Sequence, residues 1–168
     1  ELDMILIHKR FIPRTVGEHK LPLITAPMQV VVSKHNQLNN KENDYRVFRQ
    51  EPMLIDAFEG ESNAAVMMRA HRESRRYNFD PAEVVVVPNR DSIYTAAELD
   101  RGIFFGSCMT VLAQSSTLVR YDTDVMETLY CVWRDKGGGR YLERYAKQLQ
   151  REYQRLESRY LEHRDWTA

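Results

Sequence analysis

The chain has 168 residues, 43% of them hydrophobic and 29% charged, and its 24 basic and 24 acidic side chains leave no net charge. That composition belongs to a folded chain long enough to bury a core, and it excludes wholesale disorder. No apolar run reaches the roughly 20 residues of a membrane span, and the first residues lack the basic-then-apolar layout of a secretory signal, so a cytoplasmic location is expected.

The zero charge is an average over uneven parts. Residues 51–100 carry ten acidic and five basic side chains, whereas residues 1–50 carry eight basic and five acidic ones. The cations are 18 arginines to 6 lysines, and arginine is the better residue for forked contact with phosphate or carboxylate. Cys108 and Cys131 are too few for a disulfide framework and have no C-x-x-C partner, so both read as buried reduced thiols.

In chain order, MILIHKRFI (4–12) is apolar and β-branched and predicts a strand ended by Pro13. LPLITAPMQVVVSKH (21–35) predicts another, with Pro22 and Pro27 making it edge-like or interrupted before Gln29. The Asn-rich stretch 36–44 is a loop, and YRVFRQ (45–50) alternates as if to pair back across it in a hairpin. MLIDAF (53–58) is a short buried piece of either type. Ser62 is placed to cap a helix over 63–78, closed by Asp80-Pro81. EVVVV (83–87) is the strongest strand signal, and an apolar run of this kind points to the middle of a sheet. Asp91 can cap a helix over 92–101, stopped by Gly102, and the apolar segment 103–114 is read as a further helix. LVRY (118–121) is a short strand or turn. Asp122 or Asp124 then starts a helix to Arg134, with Asp122, Asp124 and Glu127 as cap and first-turn acids. Gly137-Gly138-Gly139 ends that helix and precedes a long terminal one. The expected fold is α+β: a mostly antiparallel or mixed sheet in the N-terminal part, packed with helices, and a long C-terminal amphipathic helix. Residues 1–136 form the globular domain, and 137–168 form a glycine-hinged helix.

The order of a strand (83–87), a helix (92–101), a glycine turn and a second apolar helix (106–116) resembles the layout of a ribbon-helix-helix DNA-binding unit. The resemblance implies a strand that presents alternate polar side chains to base edges. Val84–Val87 offers none, so that strand is read as core.

The terminal helix has two opposed faces. At 100° per residue, Leu142, Tyr145, Leu149, Tyr153, Leu156 and Tyr160 fall within about 80°, at spacings of three and four like a coiled-coil seam. Such a face needs cover, from the body of the chain or from a second copy, since leaving six large apolar residues wet would forfeit roughly 10 kcal/mol. Nearly opposite, Arg140, Arg144, Lys147, Arg151, Arg155 and Arg159 form a cationic stripe, with Glu143, Glu152 and Glu157 lying off it. The bland reading is a solvated face on which salt screening tolerates the repulsion. A second helix repeats the arrangement: Val66, Met67, Ala70 and Tyr77 on one side, Arg69, Arg72, Arg75 and Arg76 on the other. Two such helices point to contact with a polyanion, for which phosphate is the simplest partner because each neutralised phosphate releases counterions. No aromatic platform interleaves with either stripe, which favours duplex over single strands.

Other constellations carry less. Gly137–Arg140 lacks the strand and the Lys-Ser/Thr of a phosphate loop. Glu51, Asp56, Glu59 and Glu61 could hold a divalent cation but match no calcium loop. His8, His19, His35, His71 and His163 have no metal-ligand spacing, and Ser107 lacks the G-x-S-x-G frame of a nucleophile. The sequence therefore leads to a non-enzymatic nucleic-acid-binding protein, duplex DNA favoured, with a regulatory or accessory role. It is expected to be a homodimer with no catalytic residue, metal or cofactor. Two alternatives stand beside it: an interaction or scaffold module whose terminal helix binds an acidic partner chain, and a metal-dependent enzyme with its site near Asp56–Glu61.

Overall fold

The computed structural model describes residues 4–12, 19–40, 42–107, 117–134 and 139–164, with side chains up to Arg155 in the last segment. The fold is α+β. Strands β1 (Met4–His8), β2 (His19–Ser33), β5 (Phe104–Ser107) and β6 (Leu118–Trp133) form one sheet in the order β1-β6-β2-β5, while β3 (Met53–Asp56) and β4 (Val84–Val87) pair in parallel. β1 lies antiparallel to β6, and β5 antiparallel to β2. Three helices complete the chain: α1 (Asn63–Arg76), α2 (Arg90–Glu98) and the long terminal α3 (Gly139–Arg164). Backbone contacts group these elements into two compact units, Pro27–Val125 and Glu1–Ala26 with Met126–Ala168. Both β2 and β6 run through the two units.

The unit Pro27–Val125 is built on a β3-α1-β4-α2 run. A parallel pair needs a long crossover, which α1 supplies. Ser62 caps α1 as its sequence position suggested, with Oγ accepting a hydrogen bond from the Ala65 amide. Leu54 N–H donates to the Ile103 carbonyl and Ile103 N–H to the Pro52 carbonyl, which sets the approach to β5 alongside β3. Alternate valines of β4 face different clusters: Val84 packs with Met53, Ile55, Val66 and Ala70, and Val85 and Val87 pack with Leu54, Ile93 and Ala97. A third cluster is largely aromatic: Tyr45, Phe48, Tyr77, Phe79 and Tyr121 around Met28, Val30 and Val32. Tyr77 stacks on Phe105 with ring centroids 3.9 Å apart.

Five sequence expectations are corrected here. β4 pairs with β3 alone among the described strands, and Val86 is 44% exposed. An all-apolar run marks contact on both faces of a strand, and here helices supply that contact, so it does not imply a central place in the hydrogen-bond ladder. Of the helix expected to Arg134, residues 122–133 are strand instead, as part of β6. Their period is two, with Thr123, Glu127, Leu129 and Cys131 buried while Asp124 and Met126 are exposed. The hairpin strand at 45–50 is a 3-10 turn, Tyr45–Phe48, which buries its first and last residues and is capped by Asp44 accepting from the Arg46 amide. The helix read over 103–114 begins instead as β5, paired with β2, and residues 108–114 lie outside the described residues. The ribbon-helix-helix layout fails for the same reasons: its strand is in a parallel pair, and β5 stands where the second helix would start.

Two boundaries also differ. α2 is capped by Asn89, whose Oδ1 accepts from the Ser92 amide, rather than by Asp91. β2 runs unbroken through both prolines. Its first residue paired with β5 is Met28, so Pro22 and Pro27 fall where β2 lacks that neighbour and a missing amide hydrogen costs little.

Candidate functional site

The cationic residues read from the sequence divide into those already engaged and those open to a ligand. In unit Pro27–Val125, Arg69 is engaged. Its guanidinium donates to both carboxylate oxygens of Glu61, from Nε at 3.1 Å and from Nη2 at 2.8 Å, and also to the Asp56 carbonyl. Asp56 Oδ1 stands 3.6 Å from Nη1, and the Phe58 ring lies 4.2 Å from the guanidinium carbon. Glu61 also accepts the Phe58 amide, and these donors, Arg69 foremost, hold its carboxyl below the ordinary carboxylate value. Arg69 thus closes the 57–62 loop against the helix it introduces. The same geometry meets the acidic group Glu51, Asp56, Glu59 and Glu61. Two of its members have a guanidinium as counter-ion, and Glu51 accepts from Asn36 Nδ2 at 3.0 Å. Among the described residues no group of three or more His, Cys, Asp or Glu side chains is arranged to hold a metal ion. Arg76 is half-buried over the Tyr77 ring, and Arg72 and Arg75 are exposed.

In the other unit, α3 carries the longer stripe. Arg140, Arg144, Lys147 and Arg151, with Glu143 and Gln148, line one concave surface of about 440 Å³. Lys147 Nζ lies 2.6 Å from Glu143 Oε1, a one-turn pair that lowers the Glu143 carboxyl. Arg155 pairs with Glu152 at 2.9 Å. Among the described residues Arg140, Arg144 and Arg151 are exposed with no carboxylate partner, and the side chain of Arg159 lies outside the description. On the opposed seam, Leu142, Leu149 and Tyr153 are half-buried and Tyr145 is 46% exposed, while Ala146 between them is fully buried. Gln150 Nε2 donates to the Pro22 carbonyl at 2.6 Å, so α3 rests on β2 of its own chain there. The side chains of Leu156 and Tyr160 lie outside the description.

Sequence reasoning missed the end of the parallel pair. β3 and β4 both deliver their carboxyl ends to helix N-termini, through the 57–62 loop to α1 and through Pro88-Asn89 to α2. In open α/β sheets ligands bind at this end, where free amides and the helix dipole favour anions. The Asn89-to-Ser92 cap spacing right after the valine run was the signal for it. Also missed was a polar knot on β6: Asp124 accepts from the Tyr45 hydroxyl at 3.1 Å and from Arg46 at 2.6 Å. Burial first, and then that bond to Asp124, raises the Tyr45 phenol.

No family model matches the chain, and no curated protein is similar to it in sequence. Solved structures are similar in fold. The effector-binding domain of a BenM variant matches with a TM-score of 0.65 at 13% identity, over 94% of this chain and 73% of that one. The regulatory domain of Synechocystis PCC6803 CcmR, in complex with 2-PG, gives 0.65 at 18% identity, over 90% of this chain and 73% of that one. Full-length CbnR, a LysR family transcriptional regulator, in complex with its target DNA gives 0.62 at 12% identity, over 91% and 53%. At these identities the likeness is one of fold. No helix among the described residues is long and apolar enough to cross a membrane.

Proposed function

We propose that the chain is the ligand-responsive part of a transcriptional regulator, and that its effector is a small anion. The observation that carries this reading is the fold match over nine-tenths of the chain to effector-binding and regulatory domains. Neighbours of the same fold are described with benzoate, with 2-PG and with sulfate bound. In this chain the amide-rich ends of α1 and α2, at the carboxyl ends of β3 and β4, are suited to such a ligand. The reading shifts the role of nucleic acid: it is the target of the regulator as a whole rather than of the arginines of α1, one of which is already bound to Asp56 and Glu61. Melting curves with benzoate, sulfate and 2-PG test it. A ligand at ten times its Kd should stabilise the fold by about 1.4 kcal/mol, a rise of a few degrees in Tm. No shift with any of these anions at millimolar concentration counts against the reading.

One observation favours a second reading. Four of the cations read from the sequence, Arg140, Arg144, Lys147 and Arg151, line a single surface on α3, which suits the phosphates of duplex DNA or, as the alternative, an acidic protein face. Four phosphate contacts would give a slope of about −3.6 in log K against log salt. A titration of duplex DNA at several salt concentrations should show that slope, and it should flatten when Arg144 and Arg151 become Ala. A salt-insensitive affinity, or none at low salt, removes this reading.

A further inference from the structure

Helix α3 presents more than its cationic stripe. Counting about 100° per residue, Gln148 and Tyr141 follow Arg144 around the helix within about 60°, and Tyr145 lies about 100° from it. All three are on the flank away from Glu143. Tyr141 keeps 74% of its surface in water and Tyr145 46%, and Gln148 is exposed. Among the described residues neither ring is stacked on another or hydrogen-bonded. The sequence wheel put Tyr145 in the covered seam and found no aromatic interleaved with the stripe. In the folded chain it is Ala146 that is fully buried, and the two rings, one turn apart, stand open beside Arg140 and Arg144. Farther along that flank Glu152 is held by Arg155 at 2.9 Å, which ends the platform.

We propose that this face of α3 binds a single-stranded nucleic acid, with phosphates along Arg140, Arg144, Lys147 and Arg151 and unpaired bases on Tyr141 and Tyr145. The phosphate contacts are those of the second reading above, on which this rests; the tyrosines specify the form of the nucleic acid. Cations and rings run as two parallel lines along one helix, as backbone and bases do in an opened strand. Both lines repeat at about one turn, roughly 5.4 Å, whereas a strand within a duplex advances only about 3.4 Å per phosphate. An unstacked strand stretches beyond that and can match the turn. Stacking of a base on an aromatic ring tolerates any sequence, and Gln148, between the two lines, offers a donor and an acceptor to base edges. A duplex keeps its bases stacked on one another and would leave both rings against sugar and phosphate. An acidic protein face would satisfy the cations. Every side chain lining the concave surface is charged or an amide, however, so it offers no apolar pocket for the buried anchor such an interface needs.

Fluorescence anisotropy of the full chain with a dye-tagged thymine strand of about 12 nucleotides, within the site sizes of single-strand binders, tests this. The strand should bind at low salt with a slope of about −2.8 in log K against log salt for four phosphates, and roughly tenfold more tightly than a duplex of the same length. Tyr141→Leu and Tyr145→Leu should each weaken strand binding by about fivefold or more and leave duplex affinity unchanged. Tyr141→Phe, which keeps the ring, should bind as wild type. Tyr141 is exposed enough that its variants should keep the wild-type melting curve, so a loss of binding there reports stacking and not folding. Strand affinity unmoved by both Leu substitutions overturns the proposal. Equal or tighter binding of the duplex, with its own salt slope and no response to either tyrosine, overturns it while the second reading stands. No binding of either nucleic acid at low salt overturns both. A polyglutamate peptide bound more tightly than the strand overturns it in favour of an acidic protein partner.

Discussion

Arg69 shows what the folded chain adds to a helical wheel. On the wheel it stands with Arg72, Arg75 and Arg76, and the loop ahead of α1 brings Asp56 and Glu61 to it, so that its guanidinium holds that loop closed. The pairing has a pH signature. Because the folded Glu61 carboxyl titrates below its ordinary value of 4.5, its contribution to stability is present above that value and fades as pH falls through the folded one. Arg69→Met should therefore lower Tm at neutral pH, and the gap to wild type should narrow as melting curves are taken below pH 4.5. Gly102 is the other sensitive residue. Its φ is +149, and a Cβ there would press into the Pro52 carbonyl, the same oxygen that accepts from the Ile103 amide. Gly102→Ala should cost about 3 kcal/mol or more, measurable by urea unfolding, because neither the backbone angle nor the space suits a side chain.

Among the elements, α1 and α3 were readable from the sequence because each carries a period near 3.6 over at least three turns, with capping or glycine punctuation at its start. β6 was not. Asp122 and Asp124 look like helix caps, and only the alternation of Thr123, Glu127, Leu129 and Cys131 gives the strand away; the buried Glu127, with Arg10 3.7 Å away, hides that period from any hydropathy scale. β4 was recognised as a strand but misplaced, because apolar composition reports which faces are covered and not which edges are hydrogen-bonded. The candidate site fared the same way. The α3 stripe could be read as a set of residues, whereas the helix N-termini beyond β3 and β4 depend on a parallel pairing that no local pattern announces. For α3, the fully buried Ala146 marks where the helix meets the rest of its unit. Ala146→Leu should overpack that contact and cost about 1–3 kcal/mol by chemical denaturation, while Tyr141→Leu, at 74% exposure, should be close to neutral.

For the whole molecule, the neutral total conceals an uneven placement of charge: carboxylates concentrated in the stretch that holds α1 and α2, guanidiniums open on α3. A second consequence follows from the course of β2 and β6. They are neighbours in the sheet, and the stretch from Pro27 to Val125 leaves along one and returns along the other. It holds the three apolar clusters described above entirely within itself. Its first and last residues thus stand on adjacent strands, the arrangement that lets a segment be lifted from one gene, closed by a short splice or set into a foreign host, and still find its own shape.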